Sequence, residues 1–125
     1  MSDHPNAARY RQMQDAMNAG DMSGLSDGIA DDITWWEIGA PEPVRGKAAL
    51  MERMQWFSDY EISTVLHDVV ANDEHLIALL DVTATKGDES LNYRTAEIHH
   101  VNAGGQITER WAFSDDTQAI IDFFG

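Results

Sequence analysis

Between Tyr60 and Ser114 the chain is interrupted three times by short polar breaks, Asn72-Asp73-Glu74, Lys86-Gly87-Asp88-Glu89 and Asn102-Ala103-Gly104-Gly105. The intervals between them are rich in β-branched and aromatic residues, which predicts strands over 60–71, 75–85, 91–101 and 107–114. Breaks this short leave no room for a crossover helix, so successive strands must run antiparallel. Leu76 to Leu80 is almost continuously apolar. That pattern predicts a central strand covered on both faces.

The first half of the chain has a different period. Ser2 or Asp3 can cap a first helix with Pro5 in its first turn, and Ala7, Tyr10, Met13, Gln14 and Met17 follow helical spacing until Gly20. A short second helix is predicted over 22–29, ended by Asp31 and Asp32, and then a strand over 33–38 that Gly39-Ala40-Pro41-Glu42-Pro43 closes. Residues 46–57 return to helical period, with Leu50, Met54 and Phe57 on one face. After the strands, Asp115 or Asp116 can cap a last helix whose apolar side is Ile120, Phe123 and Phe124. The sum is one α+β domain over 1–125. Helices cover one face of a curved, mostly antiparallel sheet, and the cone they form leaves room for a small apolar ligand.

Eight basic and twenty-two acidic residues give a formal charge of −14. Such a field repels nucleic acid and anionic membranes. There is no cysteine, which removes disulfide scaffolds, thiol nucleophiles and Cys-type zinc sites. Met1-Ser2-Asp3-His4-Pro5 shows no basic segment followed by an apolar one, and no apolar run nears the ~18 residues of a membrane span. A cytoplasmic protein is the expectation. Phosphate-binding loops, Gly-x-Ser-x-Gly and dinucleotide fingerprints are likewise missing.

Several strings carry a family likeness: Asn18-Ala19-Gly20-Asp21, Ala30-Asp31-Asp32-Ile33-Thr34-Trp35, Arg45-Gly46-Lys47, Gly105-Gln106-Ile107-Thr108-Glu109-Arg110-Trp111, and the ending from Asp116 to Gly125. In this order they resemble the SnoaL-like branch of the NTF2-like superfamily, which includes ketosteroid isomerases, polyketide cyclases and limonene epoxide hydrolase. The resemblance implies an NTF2-like cone, with three N-terminal helices and a short C-terminal one around the sheet. It implies no cofactor, and a homodimer through the outer sheet face, where Trp36, Ile98 and His100 fall. It also implies a general base at Glu37, nine residues before Gly46, where the isomerases carry Asp. A second acid is implied at Glu97, five residues before Asn102. The first-helix Tyr of the isomerases is replaced by Met13, with Tyr10 one turn away on the same face. Thr95 and Phe113 stand where the epoxide hydrolase carries Arg and Asp, which argues against that constellation.

Strand alternation puts Trp35 and Glu37 on one face, and Tyr93, Thr95, Glu97 and His99 on one face of a later strand. A carboxylate beside an indole in a partly dry site is a candidate general base; a solvated strand end is the other reading of Glu37. Two acids in one cavity repel, so one of Glu37 and Glu97 is expected to hold a proton and to donate it, or a hydrogen bond, to an enolate. His99 shapes that environment, or forms a plain cross-strand pair with Glu97. Tyr10, Met13, Trp35, Tyr93, Trp111 and Phe113 are the expected ligand walls. His99 and His100 point to opposite faces and cannot chelate one ion, so no metal is expected. Asp81 is read as a rim acid or a partner of Arg94 or Arg110, and Asp116 as a cap or a cyclase-like acid. The expected function is binding of a small apolar carbonyl compound, with proton transfer next to the carbonyl. A non-catalytic binding or dimerisation module and a cyclase-like enzyme remain the alternatives.

Overall fold

The structure, a computed structural model, describes residues 4–124. Helix α1 (Pro5–Asn18) is capped by His4, whose Nδ1 accepts a hydrogen bond from the Asn6 amide at 3.1 Å. Ser2 and Asp3, the expected caps, lie outside the described residues. The helix stops before Gly20, which takes a left-handed φ of 87°. Asn18 then explains its own place in the sequence: its side-chain amide donates to the Thr64 carbonyl at 2.8 Å and accepts from the Thr64 amide at 3.0 Å. One side chain thus pins the end of the helix to a strand.

Helix α2 (Ser23–Gly28) leads directly into strand β1 (Ile29–Trp35). Asp31 and Asp32 therefore do not end a helix. They lie inside the strand with both side chains exposed, because an irregularity in its register lets them face solvent while Ile29, Ala30 and Ile33 stay buried. A two-residue strand β2 (Val44–Arg45) precedes α3 (Lys47–Trp56) and a 3-10 turn (Phe57–Asp59). The remaining strands are β3 (Glu61–Ala71), β4 (His75–Lys86), β5 (Glu89–Val101) and β6 (Ile107–Ser114). Last comes α4 (Thr117–Phe124), capped by Asp116, whose Oδ1 accepts from the Ala119 amide at 3.1 Å.

The strands form one sheet in the order β2-β1-β6-β5-β4-β3. The meander from β3 to β6 is antiparallel throughout, and β1 joins β6 in parallel. Register shifts at Leu66/Asp68 and His100/Val101 are bulges of the kind that bend strands, and the sheet curves around the helices. Burial along β4 alternates residue by residue: Leu76, Ala78 and Leu80 are buried, whereas Ile77 and Leu79 are 41% and 40% exposed. The apolar run is therefore covered on one face only, because α1, α2 and α3 all pack on the concave side. There Tyr10 and Met13 of α1, Leu25 of α2 and Leu50 of α3 meet Ile33, Leu76 and Val101 of the sheet. Among the described residues no helix is long and apolar enough to cross a membrane.

Candidate functional site

A cavity of about 400 Å³ opens between the concave sheet face and α1, α3 and α4. Apolar side chains such as Met17, Leu25, Met54, Leu80 and Ile120 make most of its wall. Neither Met13 nor Trp35 plugs it; both line it. The polar lining comes from the stripe Tyr93, Thr95, Glu97 and His99 on β5, from Arg110 on β6, from Gln14 on α1 and Thr64 on β3, and from Glu37 and Arg53 at the end near α4.

Glu97 is the centre of the deep end. Its Oε1 accepts from the Tyr10 hydroxyl at 3.0 Å and from His99 Nε2 at 3.1 Å, and its Oε2 accepts from Arg110 Nη2 at 2.9 Å. Burial by itself would raise the carboxyl's pKa, but the Arg110 charge and the His99 and Arg110 hydrogen bonds outweigh it and hold the group well below the usual carboxylate range. Glu97 is therefore ionised and can only accept hydrogen bonds. The expected role of protonated donor is not one these surroundings support: the acid's repulsion partner was to be Glu37, but its nearest charge is a guanidinium.

That ionisation fixes its neighbours. An acceptor-only carboxylate requires the proton of His99 on Nε2, and burial pushes the imidazole's pKa down, so His99 is neutral. Its Nδ1, together with Thr95 Oγ1 and Arg110 Nε, is buried with no hydrogen-bond partner. Tyr10 is oriented from behind. Thr64 Oγ1 donates to Gln14 Oε1 at 2.8 Å, which turns the Gln14 amide so that Nε2 donates to the Tyr10 oxygen at 2.9 Å. The phenol must then give its own proton to Glu97, and burial beside that carboxylate holds its pKa well above the ordinary phenol value.

Glu37 reaches the cavity from beyond the end of β1. The Trp36 amide still donates to the Arg110 carbonyl at 2.7 Å, and Arg110 Nη1 donates to the Trp36 carbonyl at 2.8 Å, so the chain stays beside β6 until it turns. The turn closes with the Ala40 amide on the Glu37 carbonyl at 3.1 Å. It needs glycine at 39: φ is +78°, and a Cβ there would lie 2.7 Å from Ile121 of α4. The carboxylate is held by Arg53 of α3, whose Nε lies 3.1 Å from Oε1 and 3.0 Å from Oε2. Arg53 in turn stacks on Trp56 and Phe57, 4.5 and 4.6 Å from their ring centres. The two acids thus do not share a proton; each has its own arginine.

Tyr93 also lines the cavity, and among the described residues its hydroxyl has no hydrogen-bond partner. Burial raises its pKa, with the Arg110 charge opposing and the Glu97 charge adding, so the phenol is protonated. Other expected site residues fall elsewhere. Tyr10 is core, and touches the site through its hydroxyl alone. Trp111 and Phe113 do not wall this cavity. The β5–β6 register sets Ile98 opposite Trp111 and Ala96 opposite Phe113, which turns both rings to the outer face, where they line a shallow groove with Trp36. Asp81 is on the outer face too, 3.5 Å from Arg94, and Asp116 is occupied as a helix cap.

Sequence reasoning missed Arg110, Arg53 and Gln14 as site residues. Neither arginine left a local signal: Arg110 shares the face of His99 because β6 pairs with β5 in that register, and nothing local says which strand the helix of Arg53 will meet. Among the described residues no three His, Asp or Glu side chains are grouped as a metal site requires. The arrangement holds two charge-balanced acid–arginine pairs, a neutral imidazole and a free phenol in an apolar cone. It can take a neutral ligand, accept a proton at Glu37 and donate a hydrogen bond from Tyr93.

Known structures share this architecture. An LEH-like epoxide hydrolase from M. tuberculosis superposes with a TM-score of 0.77 at 14% identity, over 88% of this chain and 82% of its own. Bal32a, from a soil-derived mobile gene cassette, gives 0.83 at 20% identity over 96% of both chains. IdmH of Streptomyces antibioticus, a proposed polyketide cyclase, gives 0.73 at 16% identity over 96% of this chain and 99% of its own. At these identities the likeness is one of fold. No curated protein sequence matches the chain. The SnoaL-like domain model matches residues 10–110, from the tyrosine that orients Glu97 to the arginine that pairs with it, and the chain belongs to the SnoaL-like domain family.

Proposed function

We propose that this protein binds a small, neutral, largely apolar carbonyl compound in the main cavity and moves a proton on the carbon next to the carbonyl. Glu37 is the base and Tyr93 the hydrogen-bond donor. The observation that carries this reading is a partly exposed carboxylate, Glu37, and a phenol unpartnered among the described residues, Tyr93, lining the same apolar cavity, in which each of the two carboxylates is matched by one arginine. The Glu37 carboxylate takes the proton from carbon and becomes a carboxylic acid, while the C–H electron pair moves into the enolate. Tyr93 donates to the oxygen where that charge collects. Return of the proton from Glu37 to the same carbon or a conjugated one regenerates the carboxylate. Arg53 orients the base without consuming it, because one Nε–H shared by two oxygens leaves lone pairs on both.

The experiment is solvent-deuterium exchange into a panel of enones and cyclic ketones, with thermal shift as the binding readout. Exchange that disappears in Glu37→Gln while binding remains supports the enzyme. Binding without exchange in the wild-type protein would leave the non-catalytic binding module, which the Arg53 ion pair on Glu37 favours. The cyclase-like reading centred on Asp116 gains nothing from the geometry, since that side chain caps α4.

We also propose that the outer sheet face is a homodimer interface. Val65, Phe113, Ile77 and Leu79 are 67%, 59%, 41% and 40% exposed there, an apolar patch that a monomer has reason to cover. Sedimentation of the wild-type protein beside Phe113→Asp tests it.

A further inference from the structure

A second cavity, of about 300 Å³, lies on the other side of α1, between that helix, α2 and the β5–β6 turn. Its floor is apolar: Tyr10, Met13, Leu76, Val101 and Ile107, all buried. Its rim carries Arg9, three amide side chains and Asp27.

Arg9 is set apart from most of the chain's cations. Lys47, Arg53, Arg94 and Arg110 each have a carboxylate within ion-pair distance, in a chain where acids outnumber bases twenty-two to eight. Arg9 has none among the described residues; its only polar partner is the Asn6 side-chain carbonyl. Its position is nevertheless built. Gly105, with φ +81°, passes so close that a Cβ there would fall 2.5 Å from the guanidinium, so the turn has to lack a side chain for Arg9 to lie against it. A planar fork of N–H donors, only one of them used by the protein, therefore sits at the mouth of an apolar pocket.

We propose that this back cavity binds a small monocarboxylic acid, with the carboxylate on Arg9 and the hydrocarbon tail on Met13, Leu76 and Ile107. Among the described residues Arg9 is the one cation lining the cavity, and Asp27 on the same rim is not within ion-pair distance of it, so Arg9 can balance one negative charge on a ligand but not the two of a phosphate. The occupant also touches the side chains that back the main cavity: Met13 lines both spaces, and the Tyr10 ring lines this one while its hydroxyl holds Glu97. Occupancy is thereby linked to the front site through two residues.

The methionines make the site directly readable. Full-length protein labelled with 13C at the Met methyl groups is titrated with hexanoate and octanoate, and with the alcohols of the same chain length as neutral controls. Octanoate is expected to shift the Met13 methyl and to leave Met17 and Met54, which line only the main cavity, in place. The alcohol should bind about tenfold more weakly or worse, the loss associated with one hydrogen-bonded charge. Arg9→Gln should remove the preference for acid over alcohol, and Arg9→Lys should restore part of it. Four results would overturn the proposal: no shift at any soluble concentration, shifts at Met17 or Met54 equal to those at Met13, equal affinity for acid and alcohol, or an unchanged preference in a folded Arg9→Gln protein. None of them depends on whether the main cavity is catalytic.

Discussion

The main cavity contains the same chemical pair twice, with opposite consequences. At the deep end Glu97 and Arg110 are 12% and 10% exposed, 2.9 Å apart, and the carboxylate has further donors in Tyr10 and His99. At the mouth Glu37 and Arg53 are 24% and 36% exposed, and the carboxylate has only the one Arg53 group. A buried pair fully wrapped in hydrogen bonds is fixed: removing either member strands the other charge in a dry place. A half-exposed pair can part at little cost, because water takes over its solvation. The difference teaches which acid is fixed and which is movable: Glu97 organises the deep end, and Glu37 is the acid that the proposed reaction uses as its base.

The contrast is broken most severely by Arg110→Met. It leaves Glu97 buried and uncompensated, and urea unfolding should show a loss of about 3–5 kcal/mol. A loss below about 1 kcal/mol, the range of an exposed pair, would show that the deep pair is not the anchor described here. Glu37→Gln should divide the two regions functionally: ketone exchange falls by about 10²–10⁴, the usual contribution of a general base, with the unfolding midpoint almost unmoved. Tyr10→Phe comes next, at about 1–3 kcal/mol, since it takes a donor from Glu97 and leaves Gln14 Nε2 without its acceptor. Arg53→Met is the smallest, within about 1 kcal/mol of wild type in the same urea titration.

Acid titration sharpens the same comparison. His99 has a lowered pKa in the folded state, so the unfolded chain takes up a proton first as pH falls, and stability declines from about pH 6.5 downward. Glu97 is also lowered. Its contribution is complete above the ordinary carboxylate range and is lost progressively below about pH 4.3. Melting temperature against pH should therefore fall in two limbs, and His99→Gln should flatten the upper one.

Much of this was legible from local pattern. The three polar breaks marked the meander, and Ile107–Ser114 is the strand that alternation predicts, end to end. The stripe Tyr93, Thr95, Glu97 and His99 faces one cavity because side chains alternate along a strand whatever surrounds it. Where the reading failed, something distant had intervened. Asp31 and Asp32 looked like a helix terminus, but the sheet draws β1 past them, and Val44–Arg45 is too short to announce itself as a strand. Trp111 and Phe113 looked like ligand walls. Their face is set by pairing with β5, and pairing is not written in either strand alone.

The sequence by itself determined the order of the elements, the alternating polar stripe and the presence of two well-spaced acids, because periodicity and turn chemistry are local. Only the tertiary structure decided which cation each acid meets. Arg110 is thirteen residues from Glu97 and Arg53 sixteen from Glu37, and both meetings depend on how a strand registers or a helix docks. Charge state follows from those meetings. A buried carboxylate left alone would keep its proton; with a guanidinium at hydrogen-bonding distance it gives it up, and so Glu97 becomes an acceptor-only anchor.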